Sequence, residues 1–232
     1  MRALLFDLDG TLTRSGGAGS RALGKALHAR PQAVAELRKM RLDGMTDRAI
    51  ARALLAAEGD QAIPIEQRMR VVGEAEIDAV LARYLQALAE ECARQVYVAQ
   101  PGVPELIERL RGRADALLGL CTGNVSRGAE LKLTSAGLWG VFRFGGYGSD
   151  AEPRPDIVRA AWKRARELGA TEGLVIGDTP RDVLAAHEAG LPACGVATGR
   201  WSVQQLAEHG AEVLLEDFAD VEESERLLLG PL

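Results

Sequence analysis

The run Ala3-Leu4-Leu5-Phe6 has no polar interruption and stops abruptly at Asp7-Leu8-Asp9-Gly10-Thr11. Continuous apolar character of this kind predicts a strand covered on both faces, as in a parallel sheet flanked by helices. In open α/β sheets the crevice beyond the carboxyl ends of the strands is where ligands bind, so Asp7 and Asp9 stand where chemistry is placed. Two acids at i and i+2 repel each other, and folding gains nothing from that. A cation beside them offsets the repulsion. An Asx-type turn capping the strand accounts for one aspartate but not for both.

The 232 residues are enough for a substantial core in one large domain or two small ones. A formal net charge of −5 argues against a nucleic-acid partner, which needs a basic surface. Cys92, Cys121 and Cys194 are far apart and form no CxxC or Cys/His cluster. That usage suits a reducing compartment and leaves no basis for a disulfide framework or a zinc site. No apolar run reaches membrane-spanning length, and Met1 leads directly into the first strand without a basic leader. The expectation is a cytoplasmic protein with no membrane partner, a monomer or small homo-oligomer.

After Thr13 the Gly-rich segment 14–19 reads as a hinge. From there to Val96 only helical periodicity is present. Ala49, Ile50, Ala53, Leu54 and Ala57 fall on one face behind Thr46, a candidate N-cap. Ile77, Val80, Leu81, Tyr84, Leu85 and Leu88 recur along a long helix that Pro64 can begin. Strand and helix then alternate. Helices are predicted at Val103–Arg111, up to Ala136, from Pro155 toward Gly169, at Asp182–Ala189 and at Val203–Glu208. Strands are predicted at Ala116–Cys121, Val141–Phe144, Gly173–Gly177, Ala193–Ala197 and Glu212–Leu215, with a surface helix in the tail. The fold class is α/β, a Rossmann-like parallel sheet flanked by helices. Residues 1–15 and 97–232 form the core, and 16–96 an inserted all-helical cap domain. The segments 16–19 and 96–102 are its expected hinges.

Three strands deliver polar groups at one edge: Asp7 and Asp9; Thr122-Gly123-Asn124; and Asp178 with Asp182 four residues on. Thr122-Gly123-Asn124 opens a helix, where free backbone N–H groups favour an anion such as phosphate, although taken alone a plain N-cap is the simpler reading of it. Asp7, Asp178 and Asp182 supply hard oxygen ligands of the kind magnesium takes. An anion cradle beside an acidic cation site describes a phosphate-ester pocket.

These motifs resemble those of the haloacid dehalogenase-like hydrolases, in the phosphoglycolate phosphatase-like branch with a helical cap. Asp7-Leu8-Asp9-Gly10-Thr11 is similar to the first family motif, Thr122-Gly123-Asn124 to the second, and Gly177-Asp178-Thr179-Pro180-Arg181-Asp182 to the fourth. The resemblance implies a magnesium-dependent phosphatase acting on a small phosphorylated metabolite through an aspartyl-phosphate. It implies Asp7 as nucleophile and Asp9 as general acid and base. Magnesium would be held by Asp7, the Asp9 carbonyl and Asp178, with Asp182 acting through a water. Gly10, Thr11, Thr122, Gly123 and Asn124 would hold the phosphoryl group. The alternatives are a β-phosphoglucomutase-like mutase and a catalytically silent protein retaining the fold.

The third family motif departs from the pattern. Where the family carries a lysine, the segment Glu152-Pro153-Arg154-Pro155 puts Glu152 in its place. Arg154 is therefore expected to be the catalytic cation that neutralises Asp7 and phosphate, with Lys132 or Arg127 as substitutes. On this reading Arg154→Ala should lower turnover severely and leave the fold intact. Arg41-Leu42-Asp43-Gly44-Met45-Thr46-Asp47-Arg48 is similar to the specificity loop of such caps; Arg41 and Arg48 are more simply surface residues. His28, His187 and His209 lie in helical segments and carry no role.

Overall fold

In a computed structural model describing residues 1–94 and 97–231, the core is a six-stranded parallel sheet. Its strands are β1 (Arg2–Phe6), β4 (Ala116–Thr122), β5 (Phe144–Tyr147), β6 (Glu172–Gly177), β7 (Ala193–Val196) and β8 (Val213–Leu215), ordered β5-β4-β1-β6-β7-β8. The two short strands left out of that sheet, β2 (Thr13–Arg14) and β3 (Val98–Ala99), pair antiparallel as a ribbon.

Alternation along each strand explains the unbroken apolar runs. Leu4, Phe6, Leu118, Leu120, Leu174 and Ile176 face a cluster shared with α6 (Val103–Arg111), α7 (Ser126–Ser135) and α11 (Val221–Leu229). Their neighbours Ala3, Leu5, Leu117, Cys121 and Val175 face the opposite cluster, shared with α8 (Arg154–Glu167), α9 (Pro180–Glu188) and α10 (Val203–Glu208). With both faces covered, no polar position is tolerated until the strand ends.

A third cluster belongs to the inserted helices α1 (Ala18–Ala26), α2 (Pro31–Leu37), α3 (Asp47–Ala57) and α5 (Glu74–Cys92), while α4 (Ile65–Val71) buries none of its residues. Thr46 caps α3, its hydroxyl accepting from the Ala49 N–H at 3.2 Å. The insert rests on the core chiefly through α5 and α7, where the Ser135 hydroxyl donates to the Cys92 carbonyl at 3.1 Å.

Three details differ from the expectations. The helix begun at Pro64 is two helices, because Gly73, in extended conformation, interrupts it and starts α5 afresh. The strand placed at Val141–Phe144 lies at Phe144–Tyr147 instead. Its glycines look like a turn in sequence, but a Cβ on Gly146 would come within 2.2 Å of the Ile157 carbonyl of α8. Gly146 is small because a helix backbone lies on the strand, and Gly145 because the Tyr147 ring folds over it. The predicted hinge at 14–19 is shorter, since α1 already includes Ala18 and Gly19, leaving Gly16 and Gly17 with φ of 54° and 85°. The boundary set at 96/97 and the start of the second hinge fall on Val96, outside the described residues.

Candidate active site

β1 lies between β4 and β6, with Phe6 level with Leu120 and Ile176. The residues that follow each strand therefore emerge side by side. The Asp7 N–H donates to the Ile176 carbonyl at 2.8 Å, which extends the register one residue into the acidic motif. Gly10 turns the chain with φ of 93°, and a Cβ there would meet Asp178 Oδ2 at 2.4 Å. Any larger residue would push the two acidic motifs apart.

Carboxylate oxygens of Asp7, Asp178 and Asp182 lie within 4.8 Å of one another, and all three residues are buried. Arg154, at the start of α8, reaches into this group. Its Nη2 is 2.9 Å from Asp7 Oδ1 and also contacts Asp182 Oδ1, while Nη1 donates to the Gly44 carbonyl at 3.3 Å. Asp182 is further held by the Thr179 N–H and hydroxyl at 3.0 and 2.7 Å. Asp178 accepts from the Thr11 hydroxyl at 3.1 Å.

One guanidinium thus faces three buried carboxylates. Burial pushes the Asp7 carboxyl up to about 6, with Asp182 and Asp9 adding to the rise and Arg154 opposing it. Burial, then Asp182 and Asp7, raise Asp178 well above the usual carboxylate range. The excess negative charge and the hard oxygen donors of Asp7 and Asp178 suit a divalent cation of the magnesium type. Asp182, committed to Arg154 and Thr179, has less to offer it.

Asp9 points the other way. Its Oδ2 accepts from the Asn124 amide at 2.8 Å and from Lys132 Nζ, and 45% of its side chain remains accessible within the cavity. Asn124 also donates to the Thr122 hydroxyl oxygen at 2.9 Å and accepts from Lys132. Burial works against the charge of Lys132, but Asp9, with Tyr84, Tyr97 and Asp47, outweighs it and holds the ammonium well above its usual range. The chain therefore sets a permanent cation on each side of the Asp7–Asp9 motif.

A cavity of about 290 Å³ opens above these groups and is lined by Asp7, Asp9, Gly10, Thr122, Gly123, Asn124, Lys132, Arg154 and Asp178 of the core, among others. Of the predicted residues, Thr11 and Asp182 do not line it. Thr11 is fully buried, and its hydroxyl orients Asp178. The predicted cradle of free amides at the start of α7 is largely occupied. The Asn124 N–H goes to the Thr122 hydroxyl, the Val125 N–H to Asp47 Oδ2 at 2.9 Å, and the Ser126 N–H to the Ser149 hydroxyl at 2.8 Å. Thr122 Oγ1 accepts both bonds from Asn124, so its own O–H is left to donate into the cavity.

Glu152, in the place of the family lysine, turns away from the cavity. Its carboxylate takes Arg52 of α3 at 2.9 to 3.2 Å, tying core to insert. Arg127 pairs with Glu130 and Arg48 with Glu74 and Asp78, all away from the cavity. From sequence Lys132 has only a substitute's place, Asp47 only its place in the specificity-loop segment, and Tyr84 and Gly199 none. A signal for Lys132 was present: it falls on the same helical face as buried Gly128, Ala129 and Leu133, where an unpaired lysine would not be tolerated. Gly199 carried no local signal, although a Cβ there would collide with Asp178 Oδ2 at 1.9 Å.

A family model of haloacid dehalogenase-like hydrolases matches residues 1–190. The phosphoglycolate phosphatase of Rhodospirillum rubrum is 30% identical over 227 residues, covering 95% of this chain and 89% of that protein. A protein of Dickeya dadantii named probable phosphatase IndB is 29% identical, over 94% of this chain and 90% of its own length. Among solved structures, a hydrolase from Pseudomonas syringae superposes with a TM-score of 0.73 at 25% identity, covering 96% of this chain and 97% of that one.

Proposed function

The chain belongs to the haloacid dehalogenase-like hydrolases, and from that premise we propose that it is a magnesium-dependent phosphatase releasing phosphate from a small monoester through an aspartyl-phosphate on Asp7. The observation that carries this reading is the meeting of Asp7, Asp178 and Asp182 within 4.8 Å, with Arg154 against Asp7. Residues 167 and more apart in the chain converge on one rim of the sheet, and folding alone gives no return for burying three like charges together.

Asp7 Oδ attacks phosphorus as the alcohol oxygen departs. Asp9, accessible in the cavity and hydrogen-bonded to Asn124 and Lys132, donates a proton to that oxygen. It then takes one from the water that hydrolyses the acyl phosphate. The guanidinium of Arg154, the ammonium of Lys132 and the Thr122 hydroxyl are placed to stabilise the charge that spreads over the phosphoryl oxygens. Thr11 and Gly10 position Asp178, and Asp182 holds Arg154. Asp7, Asp178 and the Asp9 carbonyl would hold magnesium, which supplies Lewis-acid neutralisation of the phosphoryl charge when bound. Residues 16–96 act as a cap over a core of 1–15 and 97–232, excluding water from the site. Among the described residues no helix is long and apolar enough to cross a membrane.

The test is release of inorganic phosphate from a panel of phosphate monoesters, with magnesium and with chelator. Activity should require the metal, and Asp7→Asn should abolish it together with acid-stable, hydroxylamine-sensitive phosphoryl labelling. Isomerised ester without released phosphate would assign a mutase instead. Turnover by Asp7→Asn near that of the parent would overturn the reading.

A further inference from the structure

The alcohol end of the cavity is built by the insert, and it contains no cation among the described residues. Its walls are Leu23 of α1, Leu42 and Met45 of the loop before α3, Ile50 of α3, and Leu81 and Tyr84 of α5. Among the described residues the only charged side chains the insert turns inward are Asp43 and Asp47. Three of its arginines are held elsewhere, Arg21 by Glu91, Arg48 by Glu74 and Asp78, and Arg52 by Glu152 and Glu74, and Arg41 is exposed and does not line the cavity.

The cations of the core do not compensate. Arg154 is held by Asp7 and Asp182, and Lys132 by Asp9 and Asn124, both at the phosphate end. Arg200 lines the mouth, 3.9 Å from Asp43, with 72% of its side chain exposed. Asp47 is fixed at the first turn of α3, where Oδ2 accepts the Val125 N–H at 2.9 Å. Lys132, Asp9 and Tyr84 are the charged and titratable groups that face it from α7, the first motif and α5.

Building on the phosphatase reading, we propose that the substrate is the phosphate monoester of an uncharged alcohol with an apolar face, and that Asp47 selects against esters carrying a carboxylate or a second phosphate. An apolar body gains by covering Leu23, Leu42, Met45, Ile50 and Leu81. A second anion would be brought into a desolvated space where the one ammonium, Lys132, is already shared between Asp9 and Asp47, so that negative charge is in excess. Specificity of this kind rests on repulsion of the wrong ligand as much as on attraction of the right one.

The experiment compares matched esters: 2-hydroxyethyl phosphate against phosphoglycolate, which differ at one carbon in CH₂OH against carboxylate, with phenyl phosphate as an apolar third. Phosphate release is measured with magnesium present throughout. The neutral esters should exceed phosphoglycolate in kcat/KM by on the order of a hundredfold. Asp47→Asn keeps an oxygen for the Val125 N–H and should narrow that ratio roughly tenfold by raising turnover of the carboxylate ester. Phosphoglycolate turned over as well as its neutral partner by the parent enzyme overturns the proposal. A ratio unchanged in a folded Asp47→Asn, checked by its melting curve, overturns the part given to Asp47. No phosphate from any ester would instead bring down the phosphatase reading itself.

Discussion

Arg154 lies against Asp7 and Asp182 in a buried position, so it is a structural charge as well as a candidate catalytic one. From sequence, Arg154→Ala was expected to leave the fold intact. The ion-pair geometry contradicts that, because removing the guanidinium leaves buried carboxylates without their cation. That loss costs roughly 3–5 kcal/mol. We expect urea unfolding of Arg154→Ala to show a loss of this order, partly recovered in millimolar magnesium, and turnover to fall roughly a hundredfold or more. Arg154→Lys should recover little of either, since a single ammonium cannot reach Asp7, Asp182 and the Gly44 carbonyl together. The acids of this site were legible in the sequence because Asp7 and Asp9, or Asp178 and Asp182, sit within a few residues of each other after an apolar strand. Lys132 is legible only as a buried position on its helix, and its pairing with Asp9, 123 residues away, is not. The three thiols offer a second check at this scale. Cys92, Cys121 and Cys194 are buried, and burial pushes the Cys121 thiol up to about 12. None should react with an aromatic disulfide reagent at pH 8 in the native protein, and all three should react after unfolding.

Elements with one strong local signal were placed correctly, and those defined by a neighbour's backbone were not. The helix Val103–Arg111 was legible to the residue from its amphipathic spacing, with Pro104 at N2 and Arg109 and Arg111 in its last turn. The strand Phe144–Tyr147 was not, since Gly146 answers to the backbone of α8 rather than to its own strand. The two-residue ribbon strands are too short to show any period. Gly102, which precedes α6, tests how much such close approaches matter. It has φ of 78°, and a Cβ would fall 1.7 Å from the Phe218 carbonyl oxygen. Gly190 has a similar φ of 76° but open space around it. Gly190→Ala should therefore cost only the left-handed backbone strain, about 1 kcal/mol. Gly102→Ala should cost about 3 kcal/mol or more, because the loop carrying Phe218 must also move. In thermal unfolding that separates the two variants by several degrees.

At the scale of the whole molecule the question is what holds the insert down on the core, and Glu152 stands at the centre of it. In the sequence Glu152 stands where the family resemblance expects a lysine; the fold turns it outward to Arg52, which no local pattern could reveal because the partner lies 100 residues away. Around it the Thr46 hydroxyl donates to the Glu152 carbonyl at 3.1 Å, the Asp47 N–H to the Gly123 carbonyl at 2.8 Å, and Arg181 to the Asp43 carbonyl. Gly16 and Gly17, left-handed and loosely surrounded, stand where the chain leaves the core. If residues 16–96 close over substrate, these contacts exist in the closed state alone, and weakening them should raise KM more than it lowers kcat. The Arg52–Glu152 pair is partly exposed, with 17% and 26% of the two side chains accessible, so its coupling should be about 1 kcal/mol in a double-mutant cycle on kcat/KM. Glu152→Gln, Arg52→Gln and the double variant supply the cycle. Because screening acts on the pair, added salt should raise KM more steeply in the parent than in Glu152→Gln. Comparison between variants removes the effect of salt on the charged substrate, which is common to both. A cycle that sums to zero, with equal salt slopes, would mean that this contact forms whether or not the insert is closed.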